Sequence, residues 1–144
     1  MGNPARTPAC FASSCLSSFK RIEQVLVCGL RSHAVQTALE GLHSQRIAYR
    51  GLCPTTIVLT TSGHAVLCDL SFAKKLSDRT FTVCGPPEFW APEMVQLIGH
   101  TEAVDWWALG CLLFCLLAQT SPFHSSGAPM SLSLLLAAIA VSSD

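Results

Sequence analysis

The chain has 144 residues, of which 50% are hydrophobic and 12% charged, and its nine basic and nine acidic side chains leave no formal net charge. That length fits one domain, and that hydrophobic content excludes a chain disordered by its composition. The charge balance, with no basic face, argues against nucleic acid or an acidic lipid surface as the main partner.

None of the eight cysteines forms a Cys-x-x-Cys pair, so zinc-finger spacing is absent. Cys10 and Cys15 are too loosely spaced for a metal site, and Cys111 and Cys115, one helical turn apart in an apolar run, read as buried free thiols. No apolar region follows Met1-Gly2-Asn3-Pro4, so no secretory signal is expected, and a reduced, cytoplasmic setting is the default.

Residues 1–20 are rich in Ser, Ala, Pro and Cys and read as a poorly ordered leader. Myristoylation at Gly2 is not expected, because Arg6 stands where the motif wants Ser or Thr. Periodicity leaves residues 20–31 open between helix and strand. From Ser32, a plausible N-cap, Ala34, Val35, Ala38, Leu39 and Leu42 recur at helical spacing, and Gly41-Leu42-His43-Ser44 closes that helix.

Residues 49–72 organise the rest. The runs Ile57-Val58-Leu59 and Ala65-Val66-Leu67 have strand composition, and Thr60-Thr61-Ser62-Gly63-His64 between them suits a turn, so a β-hairpin is expected. Tyr49-Arg50 and Thr55-Thr56 lead into it and Asp69 follows it, a placement in which a carboxylate faces a polar loop and could hold a metal and a phosphate. In residues 73–93, Pro86-Pro87 and Pro92 interrupt helix and impose an extended or turned path. Residues 101–119 form the strongest predicted helix, with Thr101 and Glu102 at its start. Trp106 to Ala118 carry no charge, which predicts a helix buried on every side or lying in a membrane, and the run is short for a bilayer. Leu132 to Val141 is a further short apolar run, expected to pack as a helix or to be a foreign tail.

Four motifs in order carry a resemblance. Tyr49-Arg50-Gly51-Leu52-Cys53-Pro54-Thr55-Thr56, then a hairpin, then Asp69-Leu70-Ser71, resembles a protein kinase catalytic loop followed by its metal-binding loop. Phe72-Ala73-Lys74-Lys75, Arg79 to Gly85, Pro87-Glu88-Phe89 and Ala91-Pro92-Glu93 resemble the activation and substrate-docking loops of the AGC serine/threonine kinases, especially the cyclic-nucleotide-dependent branch, with Pro86 in place of a threonine. Leu42-His43-Ser44 and Asp105 to Gly110 are similar to the helix before the catalytic loop and to the central helix, and Ser121-Pro122-Phe123 to the segment closing it. The resemblance implies an α+β fold: a kinase-like C-terminal lobe, mainly helical with one β-hairpin, its N-lobe and last helices missing. The expected organisation is a leader at 1–31, the kinase-like fragment at 32–123 and an unmatched apolar tail at 124–144.

The same resemblance locates the chemistry. Gly51 stands where the family has its catalytic aspartate, Cys53 where it has the lysine that contacts the γ-phosphate, and Thr56 where it has a metal-binding asparagine. Loss of a general base alone costs about 10²–10⁴ in rate. Asp69 matches the magnesium-binding aspartate, against the alternative of a turn residue capping local backbone, and Val58 matches the adenine floor. Thr82 matches an activation-loop phosphosite with Arg50 and Lys74 as its basic clamp, against the alternative that Arg50 pairs with a carboxylate and Thr82 stays unmodified. Asp105 matches a buried aspartate that accepts hydrogen bonds from the catalytic-loop backbone, and Glu93 a glutamate whose partner arginine lies in a later helix. His43 is structural.

The expectation is a degenerate serine/threonine kinase-like domain without phosphotransfer, acting at most as a binding or regulatory module. An ATP-dependent kinase with residual activity and a nonfunctional pseudogene or aberrant-transcript product are the alternatives. No cofactor is expected, Mg-ATP being what any surviving nucleotide site would take. Expected partners are a kinase, its substrates or its regulatory subunits, with neither nucleic acid nor membrane among them.

Overall fold

The computed structural model describes residues 33–123 and 132–141. The expectations for the leader, for residues 20–31 and for Ser32 as a cap lie outside the described residues.

Helix α1 runs through residues 33–43. Val35 and Leu39, one turn apart, are sealed in the core, and Leu42 packs beside them. Gln36 and Glu40, bonded at 2.9 Å, lie on the exposed face. The helix ends where its pattern says it should: Ser44 Oγ donates to the Gly41 carbonyl, and Arg46 turns the chain at φ 60°.

The predicted hairpin is present. β2 (Ile57–Leu59) pairs antiparallel with β3 (Ala65–Leu67), with Val58 opposite Val66. The turn closes through the Gly63 N–H on the Thr60 carbonyl at 2.9 Å, and Gly63 takes φ 85°. Ile57 and Leu67 pack against the core, whereas Val58, Leu59 and Val66 are exposed.

A second ladder stands beside the one hairpin expected. β1 (Ile47–Ala48) pairs antiparallel with β4 (Lys74–Lys75), and the Leu76 N–H extends the pairing to the Arg46 carbonyl at 2.7 Å. Strands of two residues, brought together from opposite sides of the hairpin, show no alternation that a sequence pattern could display.

Beyond β4 the prolines impose the expected turned path. A 3-10 turn at Pro87–Phe89 leads to the short helix α2 (Pro92–Val95), each with proline in its first turn, where the missing N–H costs nothing. The Trp90 indole N–H donates to the carbonyls of Cys84 and Gly85 at 2.9 and 3.0 Å.

Helix α3 (Val104–Ala118) starts three residues later than predicted. Thr101 and Glu102 form a preceding turn instead, in which Thr101 Oγ1 accepts from the Ala103 N–H at 3.4 Å. The helix is not buried on every side. Val104, Asp105, Ala108, Leu109, Cys111 and Leu112 face inward, while Trp106, Phe114 and Leu117 are 40%, 45% and 58% exposed. The described chain covers one face of α3 and leaves the other open, which uniform hydrophobicity could not reveal. No helix among the described residues is long and apolar enough to cross a membrane.

Two clusters form the interior. Val35, Leu39, Tyr49, Leu52, Ala108, Leu109 and Leu112 join α1, the loop after β1 and α3. Ala91, Met94 and Val104, with Val83, Trp90 and Trp107 packed on them, join the proline-rich segment to the start of α3. Helix α4 (Leu132–Val141) buries Leu135 and Ile139 and packs on α2 and the 3-10 turn, so this run is a packing helix.

Candidate functional site

The loop between β1 and β2 hangs on Asp105. This carboxylate is wholly buried in the first turn of α3. Oδ2 accepts from the Tyr49 N–H and from His43 Nε2, both at 2.8 Å, and Oδ1 accepts from the Arg50 N–H at 2.7 Å. A buried carboxylate needs such donors, since an unpaired one loses its hydration with nothing in return. Three bonds from one residue thus join α3, the end of α1 and the loop. The Trp106 indole and the His43 ring pack at right angles, their centroids 5.1 Å apart.

Gly51 follows with no side chain. It is buried, and a Cβ placed there would lie 3.1 Å from Cδ2 of Phe72 and 3.8 Å from the Tyr49 ring. A side chain at this position therefore needs the Phe72 ring to give way by a few tenths of an ångström. Phe72 has no local signal in the sequence that ties it to Gly51; only the fold brings the two together.

Cys53 and Thr56 turn inward. Cys53 is 5% exposed, with Sγ 3.1 Å from Thr55 Oγ1. The Thr56 hydroxyl accepts from the Cys53 N–H at 3.2 Å and lies 3.1 and 3.0 Å from the carbonyls of Gly51 and Cys53. Its single proton and its acceptor capacity are thus committed to the loop's own backbone. The Tyr49 hydroxyl donates to the Cys68 carbonyl, and burial raises the Tyr49 phenol above its ordinary range.

Asp69 lies at the surface beyond β3, with φ 62°. Its Oδ1 accepts from the N–H and the hydroxyl of Ser71, and these two bonds hold its carboxyl below the usual carboxylate range. This is the geometry of a turn aspartate capping local backbone. Val58 is 48% exposed on the hairpin. Among the described residues no three His, Cys, Asp or Glu side chains cluster closely enough to hold a metal ion.

The basic pair expected at Thr82 separates. Arg50 reaches the Thr82 carbonyl with Nη1 at 3.2 Å and the Phe72 carbonyl with Nε at 2.9 Å. Lys74 goes instead to Thr80, whose hydroxyl accepts from Nζ at 2.9 Å. Thr80 is buried by its backbone pairing with His100, which lies beyond α2 in the chain, and that burial places its hydroxyl within reach of Lys74. Thr82 itself is exposed. Glu93, in the first turn of α2, makes no ion pair among the described residues, and its backbone carbonyl accepts from the Ile98 N–H at 3.3 Å.

A small pocket lies under this loop, lined by Arg50, Leu52, Pro86, Trp90, Met94 and Asp105 among others, with room for about one water. It is a packing void rather than a ligand cleft.

Comparison with known proteins agrees with this arrangement. The protein kinase domain matches residues 23–139. A cAMP-dependent protein kinase catalytic subunit of Dictyostelium discoideum is 53% identical over 87 residues, which are 60% of this chain and 13% of that protein. The human putative serine/threonine-protein kinase PRKY is 56% identical over 86 residues, 60% of this chain and 31% of that protein. The human cAMP-dependent protein kinase catalytic subunit PRKX shows the same identity over the same span, 24% of its length. This chain therefore spans less than a third of each of these relatives. With the match covering most of its length, and with relatives of this type, the chain belongs to the protein kinase family, on its AGC-type serine/threonine branch.

Proposed function

We propose that this chain corresponds to the C-terminal lobe of the kinase fold and is a degenerate kinase-like domain, without phosphotransfer, that acts through binding. The observation carrying this is Gly51. It offers no oxygen to accept a substrate proton, and the Phe72 ring lies in tight contact with the place a Cβ would take. Two further features support it. The Thr56 hydroxyl is committed to backbone, and one carboxylate oxygen of Asp69 is committed to Ser71. One free Asp69 oxygen, with no cluster of His, Cys, Asp or Glu around it among the described residues, does not make a magnesium–nucleotide site. Phosphoryl transfer rests on positioning and charge neutralisation, and neither Gly51 nor the Thr56 hydroxyl supplies either.

The partners this reading implies are a kinase, its substrates or its regulatory subunits. A second reading, a chain with no function that folds poorly, is favoured by the open apolar side of α3 at Phe114 and Leu117.

Thermal unfolding of the full chain, with and without Mg-ATP, tests both. The proposal expects one cooperative transition that Mg-ATP does not move, and no transfer of labelled phosphate to serine or threonine peptides. A shift of several degrees, or transfer above background, would overturn it. The absence of any transition would favour the second reading.

A further inference from the structure

We infer that β2 is a docking edge for a second copy of this chain, the two copies joining their hairpins through antiparallel β2–β2 pairing about a twofold axis. The hairpin ladder shows which backbone groups are spare. The Thr60 N–H donates to the His64 carbonyl at 2.9 Å and the Cys68 N–H to the Thr56 carbonyl at 2.8 Å. Antiparallel pairs alternate between bonded and non-bonded, so Val58 and Val66, which lie opposite one another, are the bonded pair between these two. The N–H and C=O groups of Ile57 and Leu59 therefore point away from β3, and among the described residues they have no hydrogen-bond partner.

This spacing is self-complementary. With Val58 of each copy on the twofold axis, Ile57 of one copy faces Leu59 of the other, and each such pair exchanges both its backbone bonds. Val58 then meets Val58 of the second copy in the close, non-bonded position. A strand of three residues makes a short seam, and the exposed side chains of Val58 and Leu59 add apolar burial to it.

Edge strands are kept from such pairing by charged side chains, by proline or by a covering segment. From Gly51 to Cys68 the sequence has no Lys, Arg, Asp or Glu, and no proline lies nearer to β2 than Pro54. The outer edge of β3 differs. Ala65 and Leu67 also turn their backbone groups outward there, but the exposed Asp69 follows two residues beyond the strand. Pairing along β3 would draw that carboxylate against the second copy, which favours β2.

Amide exchange of the full chain, resolved residue by residue by NMR at low and high protein concentration, tests this, with sedimentation velocity alongside. Raising the concentration is expected to slow exchange at Ile57 and Leu59 about tenfold or more and to leave Ala65 and Leu67 unchanged. Contact through the apolar side of α3 offers no backbone bonds and leaves these amides as they were. Val58→Lys sets two ammonium groups face to face at the axis and is expected to raise the dissociation constant of the dimer about tenfold or more. Val66→Lys, similarly exposed and adding the same charge on the neighbouring strand, is expected to change it less than about threefold. The inference is overturned if the chain stays monomeric, or if it associates with exchange at Ile57 and Leu59 unchanged. It is also overturned if Ala65 and Leu67 slow instead, or if Val66→Lys weakens association as much as Val58→Lys.

Discussion

Asp105 shows how one buried side chain can order several segments. It desolvates a full charge and recovers that cost through three donors from two other parts of the chain. Asp105→Ala would leave the N–H groups of Tyr49 and Arg50 buried without acceptors, and each orphaned group costs about 1–3 kcal/mol. We expect Asp105→Ala to lose about 3 kcal/mol or more in urea unfolding, and Asp105→Asn, which keeps one acceptor oxygen, to lose less. His100 is a different case. It is 2% exposed, and Nε2 has no partner among the described residues. Burial, with some help from the Arg50 and Lys74 charges, lowers its pKa, while Glu93 and Asp105 oppose that shift. The unfolded chain therefore takes up this proton first as pH falls through about 6.5. Stability from neutral His100 is present above that pH, declines as pH falls towards the lower folded value, and then levels off. Substituting His100→Phe should flatten this part of the stability profile between about pH 7 and 5, measured as urea midpoints across that range. A slope unchanged by the substitution would assign the loss to other groups.

Among the elements, α3 carries the arrangement, because its inward face supplies Asp105 to the loop and Ala108, Leu109 and Leu112 to the core. Burial on that face pushes the Cys111 thiol up to about 11, as expected for a thiol that packs rather than reacts. Its C-terminal end is less settled. Gln119 closes the helix at φ 58°, in the left-handed region, with its N–H on the Cys115 carbonyl at 2.9 Å. A non-glycine residue there costs about 1 kcal/mol, and glycine is the common residue at such a stop. Gln119→Gly should therefore stabilise the chain by about 0.5–1 kcal/mol and raise Tm by a few degrees in calorimetry. A lowered Tm would mean that the Gln119 side chain contributes more than its backbone costs. The hairpin differs from α3 in that only Ile57 and Leu67 reach the core. Its register is set by the turn at Gly63 and by backbone pairing, with little help from burial.

At the scale of the whole molecule, exposed apolar side chains recur on several elements: Val58, Leu59 and Val66 on the hairpin, Phe114 and Leu117 on α3, Leu132, Leu134 and Val141 on α4. Apolar surface of this extent drives association when nothing covers it. The chain also has no net charge to oppose contact between copies. We expect concentration-dependent association in sedimentation velocity, and expect Phe114→Ser with Leu117→Lys to reduce it while leaving the unfolding midpoint within about 0.5 kcal/mol. Association that the double substitution leaves untouched would place the contact on the hairpin or on α4.

Much of this was legible in the order of residues alone. The hairpin follows from two apolar triplets around Thr60 to His64, and the end of α1 from Gly41 to Ser44, because turn chemistry and short-range periodicity are local. That Gly51, Cys53 and Thr56 carry no carboxylate, ammonium or amide was legible too, since residue identity needs no fold. Only tertiary structure decided the rest. The β1–β4 ladder, Phe72 beside Gly51, Lys74 on Thr80 rather than toward Thr82, and the half-open surface of α3 all depend on segments distant in sequence meeting in space. Local pattern records which face of an element is apolar; the packed chain determines which of those faces find a cover and which donors reach which acceptors.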